Sequence, residues 1–315
     1  MKYLLTPRGG RAGRRTRSIV GMLAVVLLAG TLAVPTSLAA EQAPVELNAG
    51  AEVNARFELN ARAELGIISI LHHEIQFGED GDRFDYRTQG GQELLYPYSR
   101  LTGEALFGGR HEVELLYQPL TIRSSTRIPA GTTIRIDDEV FGTTDEEASA
   151  VPLDLTYGFD FWRGTYRYRF VDRPAWHFSA GAGLQLRNAS IIFESGDGEQ
   201  RVVSQDLGPV PVLSTLTRYQ GGGGGFVELS AEGFWAPIRY LNLRDVDVNG
   251  WLYDGALRAG VTLDRGSEAF ISVRLLGGGS DGTGPSPSVW TQSQDEPRYT
   301  YNNLTTLALT IGARL

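Results

Sequence analysis

From Val45 to Leu65, in "VELNAGAEVNARFELNARAEL", apolar and polar residues alternate without a slip. Ala, Leu, Glu and Arg are good helix formers, so intrinsic preference alone favours a helix. The period decides otherwise. On a helix a repeat of two scatters Val53, Ala55, Phe57, Leu59, Ala61 and Ala63 around every side, whereas on a strand it gathers them on one face. The same alternation recurs along the chain. "LLYPYSRLTGEALF" sets Leu95, Leu101, Ala105 and Phe107 against Arg100, Thr102 and Glu104, and "WRGTYRYRF" sets Trp162, Tyr166, Tyr168 and Phe170 against Arg163, Thr165, Arg167 and Arg169. Similar runs at "HEVELLYQPLTI", "WHFSAGAGLQLRN", "PVPVLSTLTRY", "FVELSAEGFW", "WLYDGALRAGVTL", "AFISVRLL" and "YNNLTTLALTIGARL" bring the count to about ten.

The connections alternate in length. "GGR", "DRPA", "QGGGGG" and "DRGSE" are short, whereas "GEDGDRFDYRTQGGQE", "RSSTRIPAGTTIRIDDEVFGTTDEEASA", "SGDGEQRVVSQDLG", "APIRYLNLRDVDVNG" and "GGGSDGTGPSPSVWTQSQDEPR" are long and polar. Tight turns at one rim and large loops at the other are the pattern of a barrel that crosses a membrane. Past the first forty residues no segment has the roughly eighteen apolar residues of a membrane helix, so strands have to do the crossing. In hydrocarbon an unpaired sheet edge is too costly to persist, and the last strand must therefore pair with the first. The last strand suits that role: Tyr301, Leu307, Leu309, Ile311, Ala313 and Leu315 share one face. Trp162, Tyr166, Trp176, Tyr219, Trp235, Trp251 and Tyr253 fall near strand ends, where an aromatic girdle would meet lipid headgroups. The expected fold is all-β: a closed antiparallel up-and-down transmembrane barrel of about ten strands, even in number, with short periplasmic turns and long extracellular loops.

The amino terminus carries an address. "MKYLLTPRGGRAGRRTRS" is basic, "IVGMLAVVLLAGTLAV" is apolar, and "PTSLAAEQ" offers small residues for cleavage after Ala39 or Ala40, the three parts of a secretory signal. Its removal takes away Lys2, Arg8, Arg11, Arg14, Arg15 and Arg17 and lowers the net charge from −8 to −14. An acidic mature chain without lysine argues against nucleic-acid binding, and the lack of cysteine rules out a disulfide framework. The alternation from Val45 to Phe77 is too long for one crossing. Residues 1–40 are therefore read as a cleaved signal peptide, 41–60 as a periplasmic lead-in and 61–315 as the barrel.

The leader, the strand pattern and the apolar final strand resemble the bacterial outer-membrane β-barrel superfamily. "HHEIQFGEDGDRFDY", "LLYQPL", "YGFDFWRGTYRYRF" and "DLGPVPVL" resemble a group of bacterial barrels with no activity assigned. The resemblance covers most of the mature chain and implies fold and an outer-membrane location. The expected partners are outer-membrane lipid and lipopolysaccharide, together with the barrel-assembly machinery acting through the C-terminal strand. Such barrels usually end in Phe or Trp, and this chain ends in Leu315.

The inward faces are expected to carry a charged network of Arg100, Glu104, Glu112, Glu114, Arg163, Arg167, Arg187, Glu228, Glu232, Asp254, Arg258 and Arg274. In a barrel of about ten strands the lumen is little wider than side chains can fill, so these groups form either a salt-bridged plug, the favoured reading, or the lining of a narrow small-solute pore. No catalytic site, cofactor or metal is expected. The alternative is a surface hydrolase. His177 and Ser179 repeat the His-x-Ser spacing of outer-membrane lipid A deacylases, but no acid is evident to orient the histidine. His72, His73, Asp245 and Asp247 supply the residue types of outer-membrane aspartyl-type proteases without their motif. "DVDVNG" opens like a calcium loop at Asp245, Asp247, Asn249 and Gly250, but Ala256 stands where the closing acid belongs, leaving Asp254 as the only substitute. Gly221 to Gly225 read as a turn.

Overall fold

The computed structural model describes residues 57–237, 247–263, 266–285 and 297–315. The signal peptide and most of the lead-in lie outside the described residues. The strands are β1 (Phe57–Phe77), β2 (Phe84–Asp85), β3 (Leu95–Phe107), β4 (His111–Gln118), β5 (Thr121–Ile128), β6 (Thr133–Ile136), β7 (Glu139–Gly142), β8 (Val151–Arg173), β9 (Trp176–Ser195), β10 (Arg201–Gln220), β11 (Gly225–Pro237), β12 (Asp247–Thr262), β13 (Glu268–Pro285) and β14 (Pro297–Arg314).

Every pairing is antiparallel, and the sheet closes. β14 pairs with β1 from Arg62↔Arg314 to Phe77↔Thr300, and reciprocal bonds of 2.9 Å between the backbones of Ala61 and Leu315 finish the seam. β4 and β5 follow one another along β8, so the wall has ten staves: β1, β3, β4 with β5, and β8 to β14. The break between β4 and β5 falls at Pro119, which has no N–H to give the ladder. Asp160 of β8 bridges it by accepting from the Leu120 N–H at 2.7 Å.

Period-two alternation puts apolar side chains outward around the wall. Leu65, Ile67, Leu101, Leu115, Leu184, Leu186, Leu213, Leu229, Ile271, Val273, Leu309 and Ile311 are all exposed. Trp176 and Tyr219 mark the short-turn edge of this belt with rings 5.1 Å apart, and Trp162 stacks on Tyr117 at its other edge, 4.6 Å apart. Ten residues of β9 separate Trp176 from Leu186, the ladder partner of Trp162. At about 3.3 Å per residue and a tilt of about 45° they span roughly 23 Å, close to the ~25 Å apolar band of a membrane barrel.

Beyond the belt the barrel turns inside out. Along β8 the odd-numbered residues face inward throughout: Arg163, Thr165 and Arg167 below, then Phe161, Phe159, Tyr157, Leu155 and Leu153 above. The outward face changes in the opposite sense, from Trp162 and Tyr166 to Asp160, Thr156 and Asp154. β1 makes the same change with the help of a bulge between Ile70 and His72, which turns both Ile70 and His73 inward and leaves His72, Glu74 and Gln76 outside.

The long connections hold more strand than the sequence suggests. The run expected as a loop from Arg123 to Ala150 contains most of β5 and the β6–β7 hairpin, and most of "SGDGEQRVVSQDLG" is β10, with only residues 196–200 linking it to β9. The reason is the phase change itself, since polar outward residues on the projecting strands read as loop composition.

Candidate functional site

The inward side chains form two layers. Within the belt they are charged. Arg167, Glu114, Arg62, Glu104, Arg314, Glu268, Arg218, Glu228, Arg258, Glu64, Arg274, Asp254, Arg163 and Glu232 follow one another as ion pairs, and Glu232 returns to Arg167. Seven arginines and seven carboxylates thus alternate in a closed circuit, with no contact longer than 3.6 Å. Each charge has an opposite one on both sides, which is what allows charges to be held away from water. Arg100 adds a third guanidinium to Asp254 at 3.0 Å, and β9 joins through Gln185, whose Oε1 accepts from Arg163 Nε at 3.0 Å and Nη2 at 2.6 Å.

Of the residues singled out in the sequence, Glu104, Glu114, Arg163, Arg167, Glu228, Glu232, Asp254, Arg258 and Arg274 stand in the circuit. Arg100 and Glu112 are branches, the latter bound to Arg167 and Arg169, and Arg187 lies higher, its guanidinium 5.9 Å from the Phe159 ring centre. Sequence reasoning missed Arg62, Glu64, Arg218, Glu268 and Arg314. Arg62 and Glu64 sit on the polar face of the opening alternation, so the signal for them was present.

At the short-turn end the circuit borders a cavity of about 340 Å³. Arg62, Glu104, Arg218, Glu268 and Arg314 line it, with Arg169 and His177.

At the other end the inward layer is aromatic and aliphatic. Ile68, Ile75, Phe84, Tyr86, Phe141, Tyr157, Phe161 and Phe193 are buried together. Phe84 meets Phe193 edge to face at 5.2 Å, and Tyr86 lies 5.7 Å from Phe193. β2 and the β6–β7 hairpin supply Phe84, Ile134, Ile136 and Phe141, so connecting segments fold into the mouth and pack there. His73 is part of this lid. Its ring stacks on Tyr86 at 4.0 Å and meets Tyr157 edge-on at 4.4 Å. Burial pushes its pKa down to about 3 and raises the hydroxyls of Tyr86 and Tyr157 above their ordinary range.

The hydrolase constellations do not assemble among the described residues. An acid does stand beside His177, contrary to the sequence reading: Asp172 Oδ1 is 2.7 Å from His177 Nδ1, brought there across the β8–β9 turn. Ser179, however, is 1% exposed and donates to Glu112 at 2.9 Å. His72 faces outward beside Glu74, 3.7 Å away, while His73 is buried inside. Asp245 and the side chain of Asp247 lie outside the described residues. Asp254 cannot close a calcium loop, because Arg100, Arg163 and Arg274 surround it. Gly221 to Gly225 form the β10–β11 turn, with the Gly221 N–H donating to the Gly225 carbonyl at 2.7 Å.

A closed ten-stave wall, apolar outside and charged within over the height of a bilayer, decides the architecture. The fold is a closed antiparallel β-barrel of the membrane-spanning type. Solved barrels similar to this one include the outer membrane protease OmpT from Escherichia coli, at TM-score 0.44 and 10% identity over 82% of this chain and 97% of that one. The outer membrane protein OprG from Pseudomonas aeruginosa aligns at TM-score 0.30 and 11% identity over 82% and 95%. A Pseudomonas aeruginosa FadL homologue aligns at 0.24 and 8% over 83% and 90%. No family model matches the chain, and no curated protein does. Nothing about activity follows from likenesses at this level.

Proposed function

We propose that this barrel is a sealed, non-conducting protein of the bacterial outer membrane, exported by a cleaved leader and serving as a structural wall element rather than a solute pore. The closed circuit of ion pairs carries the reading. An open pore keeps a column of water along its axis, and here guanidinium and carboxylate groups from opposite walls meet across the axis beneath a buried aromatic lid. In this reading the short turns face the periplasm and the lid faces outward, against lipopolysaccharide. The C-terminal strand, with Leu307, Leu309 and Ile311 outward, is the segment offered to the assembly machinery.

The test is conductance of the refolded full-length chain in a planar bilayer, after heat-modifiable gel migration has established folding. A sealed barrel gives a silent membrane. A steady open level removes the proposal in favour of a narrow pore.

One contact favours a hydrolytic role instead: His177, which lines the cavity at the short-turn end, has Asp172 beside it. A base oriented by an acid still needs a nucleophile, and the nearby Ser179 hydroxyl is committed to Glu112. Unchanged lipid A acylation on overexpression of the wild type and of Ser179→Ala speaks against this role.

A further inference from the structure

His73 stands where the wall meets the lid. The bulge in β1 carries it from the lipid-facing side to the inside, above the last outward leucine, Leu71, and so beyond the apolar belt. Three contacts tie it to the segment between β1 and β3. Its carbonyl accepts from the Tyr86 N–H at 3.0 Å, its ring lies parallel to the Tyr86 ring, and its Nδ1 is 3.1 Å from the Gln92 amide nitrogen. The amide nitrogen can only donate, so in this arrangement Nδ1 accepts and the ring proton sits on Nε2. That Nε2 is buried without a partner, as is the Tyr86 hydroxyl. The site is therefore built for a neutral imidazole. In this orientation of the Gln92 amide it presents no acceptor to a second ring proton; the amide's own Oε1 is buried without a partner on the far side.

The geometry points to His73 as a proton-sensitive latch: its neutral ring fastens residues 78–94 into the barrel mouth, and its protonation lets that segment go. Protonation turns Nδ1 into a donor, which breaks the Gln92 bond as it stands and forces the amide to turn over or leave, and it places a cation among rings with no carboxylate in contact. Charged and titratable groups around the ring are few. On its own strand His72 points outward, the lid segment brings Asp85 and Tyr86, and β8 brings Tyr157. Arg187 of β9 acts on Tyr157 from behind. Asp85 is occupied in its own turn, accepting from the N–H groups of Arg87 at 2.8 Å and Thr88 at 3.2 Å.

The sign follows from linkage. The closed state holds His73 near 3, against about 6.5 when released, so the latch is at full strength above pH 6.5 and weakens as pH falls toward 3. Near pH 5 the closed-to-open ratio is about thirtyfold lower than near pH 7.5, while ordinary carboxylates are still ionised. Proton-triggered release of the lid rests on the reading of a sealed lumen only in assigning the segment a closing role.

The experiment is amide hydrogen exchange with mass spectrometry on the folded full-length chain in detergent, near pH 7.5 and near pH 5, with exposure times corrected for the intrinsic rate. Peptides covering residues 78–94 should lose about thirtyfold in protection at the lower pH. In His73→Phe, which keeps the stacking and cannot titrate, they should lose none, and β12–β13 peptides should stay protected in both proteins. Equal protection of 78–94 at both pH values in the wild type, or an equal loss in His73→Phe, overturns the latch. If His73→Phe does not show heat-modifiable migration, His73→Gln, which can accept from Gln92, replaces it under the same criteria. Bilayer conductance near pH 7.5 on the same preparation separates the two proposals. A steady open level there refutes the sealed lumen alone, and a silent membrane with pH-independent protection refutes the latch alone.

Discussion

Arg163 Nη1 lies 2.8 Å from Asp254 Oδ2, joining β8 to β12 straight across the lumen. Asp254 is also held by Arg100 and Arg274, so one carboxylate restrains three guanidinium groups from three other staves. Removing it leaves like charges facing one another in a site with little water. Asp254→Ala should destabilise the barrel by about 3–5 kcal/mol, read as a lower urea midpoint for unfolding from vesicles. Asp254→Asn keeps the volume and fails for the same electrostatic reason. A change within about 0.5 kcal/mol would mean that water already screens the site.

Phe141 tests the lid separately from the wall. It is fully buried on the β6–β7 hairpin, with its ring 6.4 Å from Phe193, while the hairpin's strand ladder is separate from the wall. Phe141→Ala should cost the lid about 3–5 kcal/mol and leave the ten-stave ladder intact. The expected outcome is faster amide exchange over residues 129–150 with unchanged heat-modifiable migration. A barrel that fails to assemble would show instead that the hairpin is needed to fold the wall.

Two outward glycines on adjoining strands should respond in opposite ways. A Cβ on Gly277 would lie 2.3 Å from the Tyr253 hydroxyl and 2.5 Å from the Leu304 carbonyl oxygen, because Tyr253 lies flat across β13 to reach Thr305 on β14. The carbonyl belongs to the neighbouring strand and cannot swing away. Gly277→Ala should therefore cost about 1–3 kcal/mol. Gly255 has nothing within 4 Å of its own Cβ position, so Gly255→Ala should be neutral or stabilise by a few tenths of a kcal/mol. Urea midpoints of the two variants, measured side by side, check the contrast.

The wall was legible in the sequence because period-two alternation and closure are local consequences of one rule: in lipid every backbone group must be paired within the sheet. The lid was not. It announces itself only as a change of phase inside one strand, where "YGFDF" has its aromatics on odd positions and "WRGTY" has them on even ones. Taken as alternation, each half reads well, and the half with polar outward residues passes for loop. The circuit was half legible for a different reason. Inward charges follow from alternation, but which cation meets which carboxylate depends on tilt and register, and Arg314 reaching Glu104 at 2.7 Å has no sequence signature. Nor does Asp172 beside His177, since it depends on a two-residue turn and on the irregularity between Arg169 and Val171.

Leu309 decides whether the outer surface meets lipid. It is 54% exposed near the middle of β14, paired with Ile67 on one side and Val273 on the other, both also exposed. In a water-soluble barrel a leucine in that position contributes little, and exchanging it for arginine changes stability by no more than about 0.5 kcal/mol. In a bilayer the same exchange puts a guanidinium into hydrocarbon and costs about 2–4 kcal/mol at the midplane, falling toward zero near the headgroups. Leu309→Arg should therefore lower the unfolding midpoint strongly in phospholipid vesicles. The same exchange at Leu315, one residue past the end of β14 on the short-turn side, should lower it much less. Equal and small effects at both positions would mean that no lipid covers the belt, and an ordered decline from the middle to the edge is what a membrane-spanning wall requires.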